Sequence, residues 1–224
     1  KKRAWPDANH AMEFLTAGGT LAFLTQSGWL DVEYGFPVQS WMLDHFRIIA
    51  VMESEVEPWF TDARVATAIT ILKRTESEPE RDENIVRFVS FRRRIDDILD
   101  YQRATSVHER CQTFVVNLLN AVHDVTTNDY RLRMRNQGEL RREGIGPNGR
   151  YRGAKWGRYL RSSDMLHALQ RDHRDSFVEV GSLGTLRRGI TTNCDEFFIV
   201  EDITGQVIEG RTSQECRALF GVDK

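Results

Sequence analysis

The chain has 224 residues and a formal net charge of −2, enough length for one large or two small domains with a real core. It has no apolar run long enough to cross a bilayer and no apolar segment of the signal-peptide kind, so a cytoplasmic protein is expected. Its three cysteines, Cys111, Cys194 and Cys216, are widely spaced and outside any CxxC or Cys/His pattern, which excludes a disulfide frame or a zinc site and reads as reduced thiols.

In chain order, residues 11–15 read as a helix end stopped by Gly18-Gly19. Leu21-Ala22-Phe23-Leu24 is a short, wholly apolar strand of the kind buried on both faces. A loop over 25–33 follows. A helix is predicted over 36–46, with Val38, Trp41, Met42 and Phe46 on one stripe. Residues 48–52 and 65–72 read as two further strands with no helical pattern between them, so they can pair antiparallel at one edge of an otherwise parallel sheet. Between these two lies a Pro-led loop, Pro58-Trp59-Phe60. Large aromatics at the mouth of a buried strand can line a pocket for a flat ligand such as a nucleic-acid base, whose face stacks on a ring for roughly 1–3 kcal/mol. Core packing is the plainer reading of the same pair.

The stretch 76–83 is acidic, with Glu76, Glu78, Glu80, Asp82 and Glu83 against Arg81, and reads as a linker or exposed loop. Residues 85–91 alternate like a strand, and 95–101 suggest a short helix. Ser106 and Glu109 form a capping box. The helix that it opens carries Val107, Cys111, Phe114, Val115, Leu118, Leu119 and Val122 on one face. Residues 130–135 alternate strictly, which puts Arg131, Arg133 and Arg135 on one side of a strand. Residues 143–153 are a Gly/Pro/Asn loop, and a helix over 164–170 has Ser162 or Ser163 as its cap. From Phe177 a β-rich unit is expected, with Phe177-Val178-Glu179-Val180 and Phe197-Phe198-Ile199-Val200 as strands.

Between Asn128 and Arg174 there are twelve basic residues, eleven of them arginine, against five acids. Such an excess suits phosphate contact; it also fits a solvated face that offsets acids elsewhere. Trp156, within Lys155-Trp156-Gly157-Arg158-Tyr159, can stack on a ligand or anchor the segment in the core. Arg187, Arg188, Thr191, Thr192 and Asn193 form a polar cluster able to touch phosphates and base edges, or a turn with solvent-facing arginines. Glu53, Glu55 and Glu57 alternate at a strand end and resemble a magnesium cluster, but the lysine that nuclease sites add is missing. His108 and His123 lie fifteen residues apart without a third ligand. No metal is predicted, and Asp31 and Asp44 have no partner that the sequence names.

Several of these residues together resemble a family. Ala17-Gly18-Gly19-Thr20-Leu21-Ala22-Phe23-Leu24-Thr25, Trp29-Leu30 and Tyr34-Gly35 are similar to the later motifs of adenine-N6 DNA methyltransferases, and Phe60 through Leu72 looks like the motif that closes their catalytic domain. The closest likeness is to bifunctional type II restriction–modification polypeptides, in which methylation and target recognition share one chain. Gly153 through Arg161 and Leu186 through Asn193 resemble the approach to, and entry into, their target-recognition region. The resemblance implies an α/β fold: the C-terminal part of a Rossmann-like methyltransferase sheet over 1–75, a mixed helical and β connector with a basic segment over 76–174, and the start of a β-rich recognition unit over 175–224. It implies double-stranded DNA as partner. It also implies that Phe60, with Trp59 as the alternative one residue away, packs on an adenine flipped from the duplex. The spacing to Val65 favours Phe60. Lys155, Arg158, Arg161, Arg187, Arg188, Thr191, Thr192 and Asn193 become candidate DNA contacts.

The sequence departs from the family where the chemistry resides. It has no Gly-rich turn for S-adenosyl-L-methionine and no Asn/Asp-Pro-Pro-aromatic loop; it contains no Pro-Pro pair at all. The expectation is a fragment of a longer enzyme that binds the cofactor and transfers methyl groups through residues outside this chain. The alternative is a non-catalytic DNA-binding specificity or interaction module.

Overall fold

Six segments, most of them rich in β-branched and aliphatic residues and one alternating arginine with Leu132 and Met134, pair into one mixed sheet. The computed structural model describes residues 15–60, 65–99, 106–178, 180–185 and 209–220, with the single positions 189 and 205. The strands are β1 (Thr20–Gln26), β2 (Phe46–Ser54), β3 (Thr67–Arg74), β4 (Ile85–Phe91), β5 (Val125–Thr126) and β6 (Tyr130–Asn136), in the spatial order β1-β3-β2-β4-β6-β5. β3 runs antiparallel to both β1 and β2, β2 and β4 are parallel, and β6 is antiparallel to β4 and β5. The helices are α1 (Phe36–His45), α2 (Glu78–Asp82), α3 (Ile95–Leu99), α4 (Val107–Asn120), α5 (Gln137–Glu143), α6 (Gly157–Arg161), α7 (Asp164–Asp172), α8 (Val180–Leu183) and α9 (Ser213–Phe220). The fold is therefore mixed α/β, as the sequence implies. β2 and β3 pair antiparallel, while α1 carries the chain back so that β2 runs in the same direction as β1.

The register sorts one sheet face into rows across the strands. Phe23, Thr70, Val51, Phe88 and Arg133 form one row; Thr25, Ala68, Glu53, Ser90 and Arg131 form the next, nearer the carboxyl ends of β1, β2 and β4. The first row is mainly apolar and lies in the larger core, where Trp29, Met42, Leu43, Phe46, Phe88, Trp156 and Leu160 are buried beneath α1, α5 and α6. Each such side chain contributes roughly 1.5–3 kcal/mol on leaving water. The opposite face packs against α3 and α4 through Val89, Phe91, Leu118 and Leu132.

A bulge between Ile48 and Ala50 interrupts the β2–β3 ladder. Two amides satisfy the backbone there. Ile48 N–H donates to Gln137 Oε1 at 2.9 Å, Gln137 Nε2 donates to the Phe46 carbonyl at 2.7 Å, and Asn84 Nδ2 donates to the Ile48 carbonyl at 2.8 Å. Gln137 is wholly buried, so no water can substitute for it.

The structure refines several sequence expectations. Within the stretch 76–174 expected as a connector, β4 and β6 extend the sheet begun by β1, β3 and β2. The chain divides instead into the units Lys1–Asp172 and His173–Lys224. Gly18 and Gly19 close β1 onto β3, with Gly18 N–H donating to the Arg74 carbonyl and Arg74 N–H to that of Gly19. Gly18 has φ +79°, which suits glycine. The acidic stretch holds a short helix, α2, because Ser77 Oγ accepts from Glu80 N–H and Pro79 sits in the first turn. The capping box of Ser106 and Glu109 is present, and Ser163 Oγ accepts from Leu166 N–H at the start of α7. Of the apolar stripe on α4, Leu118 is buried whereas Val107, Val115, Leu119 and Val122 stay exposed.

In the second unit, Phe177 and Val178 are exposed and form no strand, and Val180, expected to end that strand, instead opens a helical turn, Val180–Leu183. Apolar alternation there meets no neighbouring strand among the described residues. Residues 197–200 lie outside the described residues. α9 is opened by Thr212 and Glu215, each side chain accepting from the other's backbone N–H. Among the described residues no helix is long and apolar enough to cross a membrane.

Replacing Gln137 by Leu keeps the volume but leaves Ile48 N–H and the Phe46 carbonyl buried without partners. Each such group costs about 1–3 kcal/mol. Thermal unfolding should show a fall in midpoint of roughly 2–4 °C per kcal/mol, and an unchanged midpoint would contradict the role assigned to Gln137.

Candidate functional site

The polar row of the sheet and the loop that leaves β2 form a charged edge. Glu53 stands near the end of β2 with a side chain 8% exposed, and Arg161, the last residue of α6, grips it with two hydrogen bonds: Nε to Oε2 at 2.9 Å and Nη2 to Oε1 at 2.6 Å. The same guanidinium reaches Asp31 and donates to Ser27 Oγ at 3.2 Å. The hydrogen bond to Glu53 is the main reason that the Arg161 pKa lies above its ordinary value. Glu55 accepts from Arg131 Nη2 at 2.8 Å and from Ser90 Oγ at 2.7 Å. Glu57 accepts from Ile95 N–H at 2.9 Å and pairs with Arg94 at 3.4 Å. The three carboxylates that resembled a magnesium cluster are thus each held by a different arginine. Among the described residues no group of His, Cys, Asp or Glu has the geometry to hold a metal.

The aromatic loop continues from this frame. Ser54 Oγ accepts from Val56 N–H and Glu57 N–H and turns the chain outward. Trp59 packs into the core beneath α3 and α4, edge-on to Phe91 at 6.1 Å and 72°. Phe60 is 41% exposed. Of the two aromatics, Phe60 offers an open ring. Beside this loop an open depression of about 320 Å³ is lined by residues 54–58 on one wall and 65–67 on the other. The second wall is fastened by Ser27 N–H, which donates to the Ala66 carbonyl at 2.9 Å.

The basic segment is largely committed within the molecule. Arg131, Arg133 and Arg135 do share one side of β6, but that side faces α6 and α7. Arg133 is 4% exposed and lies beside Asp124 and Asp164. Burial chiefly, and then Arg131 and Arg135, lower its pKa, against the pull of Asp124. Arg135 pairs with Asp124 at 3.1 Å, and Arg141 joins Asp44 to Asp82. Arg158 pairs with Glu143 at 2.7 Å and lies over the Tyr159 ring. Lys155 donates to the Asp31 carbonyl and sits over Phe36. Thus Lys155, Arg158 and Arg161 each have intramolecular partners. Arg187, Arg188, Thr191, Thr192 and Asn193 lie outside the described residues.

One glutamine holds the segment that delivers these cations. Gln39 of α1 donates to the Trp29, Leu30 and Ala154 carbonyls and accepts from Tyr151 OH and Ala154 N–H. Trp156 N–H donates to the Leu30 carbonyl, and its indole is buried edge-on to Trp29 at 6.0 Å. Trp156 is therefore the anchor of the two roles that the sequence left open. Gly153, at φ +94°, passes so close to Phe36 that a Cβ there would overlap the ring. Next along, Tyr159 OH donates to Glu143, and burial first, then that carboxylate, pushes the phenol pKa up to about 12. His167 stacks on the Tyr159 ring at 6.1 Å.

Sequence reasoning missed Gln39 and Gln137, which carry no pattern of their own, and the partners of Asp31 and Asp44. Carboxylates at 53, 55 and 57 were a usable signal, but their partners lie far along the chain. No protein-family model matches this chain, and no curated protein matches it in sequence.

Two tests follow from the geometry. A Cβ on Gly157 would overlap Asp31 Oδ2, so Gly157→Ala must push Asp31 away from Arg161. The cost should be about 1–3 kcal/mol in urea unfolding. The second concerns acid. Burial, then Arg133 and Arg135, hold the His167 pKa below its ordinary 6.5. The neutral ring is favoured in the folded state, so its contribution is present above pH 6.5 and is lost as pH falls through the lowered folded value. Stability measured from pH 7.5 to 5 should decline less in His167→Gln than in the parent chain.

Proposed function

We propose that this chain is part of a site-specific adenine-N6 DNA methyltransferase of a restriction–modification system, and that its aromatic loop forms one wall of the pocket for a flipped adenine. The observation that carries this reading is the open Phe60 ring in the loop whose residues 54–58 line one wall of the depression, a loop whose base is held by three glutamate–arginine pairs. A base extruded from a duplex needs an aromatic face that is accessible yet fixed, and stacking then contributes roughly 1–3 kcal/mol. The motif resemblance of residues 17–35 and 60–72 supplies the choice of adenine. The Rossmann-like character of the sheet belongs to the same proposal: β1 and β2 run in one direction with β3 reversed between them.

S-adenosyl-L-methionine is the methyl donor in this reading. The lining of the depression does not fit it: residues 54–58 and 65–67 include no glycine-rich turn, and the nearby carboxylates are engaged by arginines. Its binding and the transfer of the methyl group fall to residues that this chain does not supply, and the chain alone should not methylate DNA. Double-stranded DNA is the proposed partner, with Arg187 and Arg188 meeting its backbone and Thr191, Thr192 and Asn193 completing the interface.

Phe60→Ala, placed in the active methyltransferase, should weaken capture of an extruded adenine by about tenfold or more, read as loss of 2-aminopurine fluorescence at the target position. Equal capture by both forms would sink the assignment of Phe60. For the DNA interface, replacing Arg187 and Arg188 by alanine should reduce the slope of log affinity against log salt by about one unit for each phosphate no longer neutralised.

A further inference from the structure

We propose that Arg161 is a positioning residue that holds, with one guanidinium, both walls of the depression lined by residues 54–58 and 65–67. The first wall leaves β2 one residue after Glu53, and the Arg161 fork fixes that carboxylate through two parallel hydrogen bonds at 2.9 and 2.6 Å. The second wall hangs from Ser27 through the bond of its N–H to the Ala66 carbonyl, and Arg161 Nη2 holds the Ser27 hydroxyl at 3.2 Å. Asp31, a few residues beyond Ser27, takes the remaining Nη1.

The base of the fork cannot drift. α6 is pinned by Trp156, Tyr159 and Leu160, all buried in the larger core. Gly157 lets Asp31 approach α6 closely enough to share the guanidinium, since any Cβ there would meet the carboxylate. Planar fork geometry matters as much as charge here: a guanidinium binds a carboxylate in two directions at once and still presents a third N–H group, whereas an ammonium is a point charge without that directionality. Arg161 was a candidate DNA contact by motif resemblance. Its geometry assigns it to shaping the loop instead. The inference deepens the base-capture reading, on which it rests only for what Phe60 meets.

The test is hydrogen exchange on the full chain carrying Arg161→Lys or Arg161→Gln. The lysine variant keeps a positive charge beside buried Glu53, so the fold survives while the fork is lost. Amides of residues 54–57, 59–60 and 65–67 should exchange about tenfold faster in both variants, with β4 and β6 unchanged. Wild-type rates in both walls overturn the proposal, and so does a uniform rise across the sheet, which would mark Arg161 as a general stabiliser. Base capture is judged separately through Phe60→Ala in the active methyltransferase: if that variant captures the extruded base as well as the parent does while Arg161→Lys still loosens both walls, the positioning role stands and the adenine reading falls.

Discussion

A carboxylate removed from water at the end of a central strand imposes a demand on everything around it. Glu53 occupies a row that includes Thr25, Ala68, Ser90 and Arg131, above the apolar row of Phe23, Val51 and Phe88. An ionised group with an 8% exposed side chain is tolerated only with a close opposite charge and well-made hydrogen bonds. Arg161 meets both conditions, and it reaches Glu53 because a chain of buried anchors places α6 over this part of the sheet. Removing Arg161 leaves Glu53 buried without its cation, whereas Arg161, about half exposed, would still pair with Asp31. The pair therefore fixes position more than it adds stability, since desolvation offsets much of the attraction.

The anchors follow the same logic at lower charge. Gln39 and Gln137 are fully buried amides bonded mainly to backbone groups, with Tyr151 OH and Asn84 Nδ2 as their side-chain donors. Gln39 joins the Ser27–Leu30 turn to the stretch leading into Trp156, while Gln137 mends the bulge in β2. A buried amide with all its bonds made specifies one arrangement, because any displacement exposes several unpaired groups at once. This is why two loops more than a hundred residues apart in sequence stay in register around α6.

The arginine-rich segment takes on a different meaning in this setting. Arg131, Arg135, Arg141, Arg158 and Arg161 each meet an acid, and most of those acids come from outside the segment: Glu55, Asp124, Asp44, Asp82, Asp31 and Glu53. A local excess of positive charge along the chain is thus much reduced in space. The cations of α6 are engaged within the fold by Asp31, Glu53 and Glu143.

Local patterns determined a good deal on their own. Alternation marked β4 and β6 and put three arginines on one side of β6; the Ser106–Glu109 box marked the start of α4; the absence of a helical stretch between β2 and β3 allowed their antiparallel pairing, although the sheet around them is mainly antiparallel, with β2–β4 as its parallel pair, and not the otherwise parallel sheet expected. These features depend on residues a few positions apart. Sequence also singled out Trp59 and Phe60, but which ring is open depends on the core that Trp59 joins with Phe91. That Glu53, Glu55 and Glu57 are matched by arginines 108, 76 and 37 residues away, and are not left together for a cation, was decided only by tertiary structure. Electrostatic pairing acts through space, and the spacing of charges along a chain carries no information about which of them the sheet register will bring together.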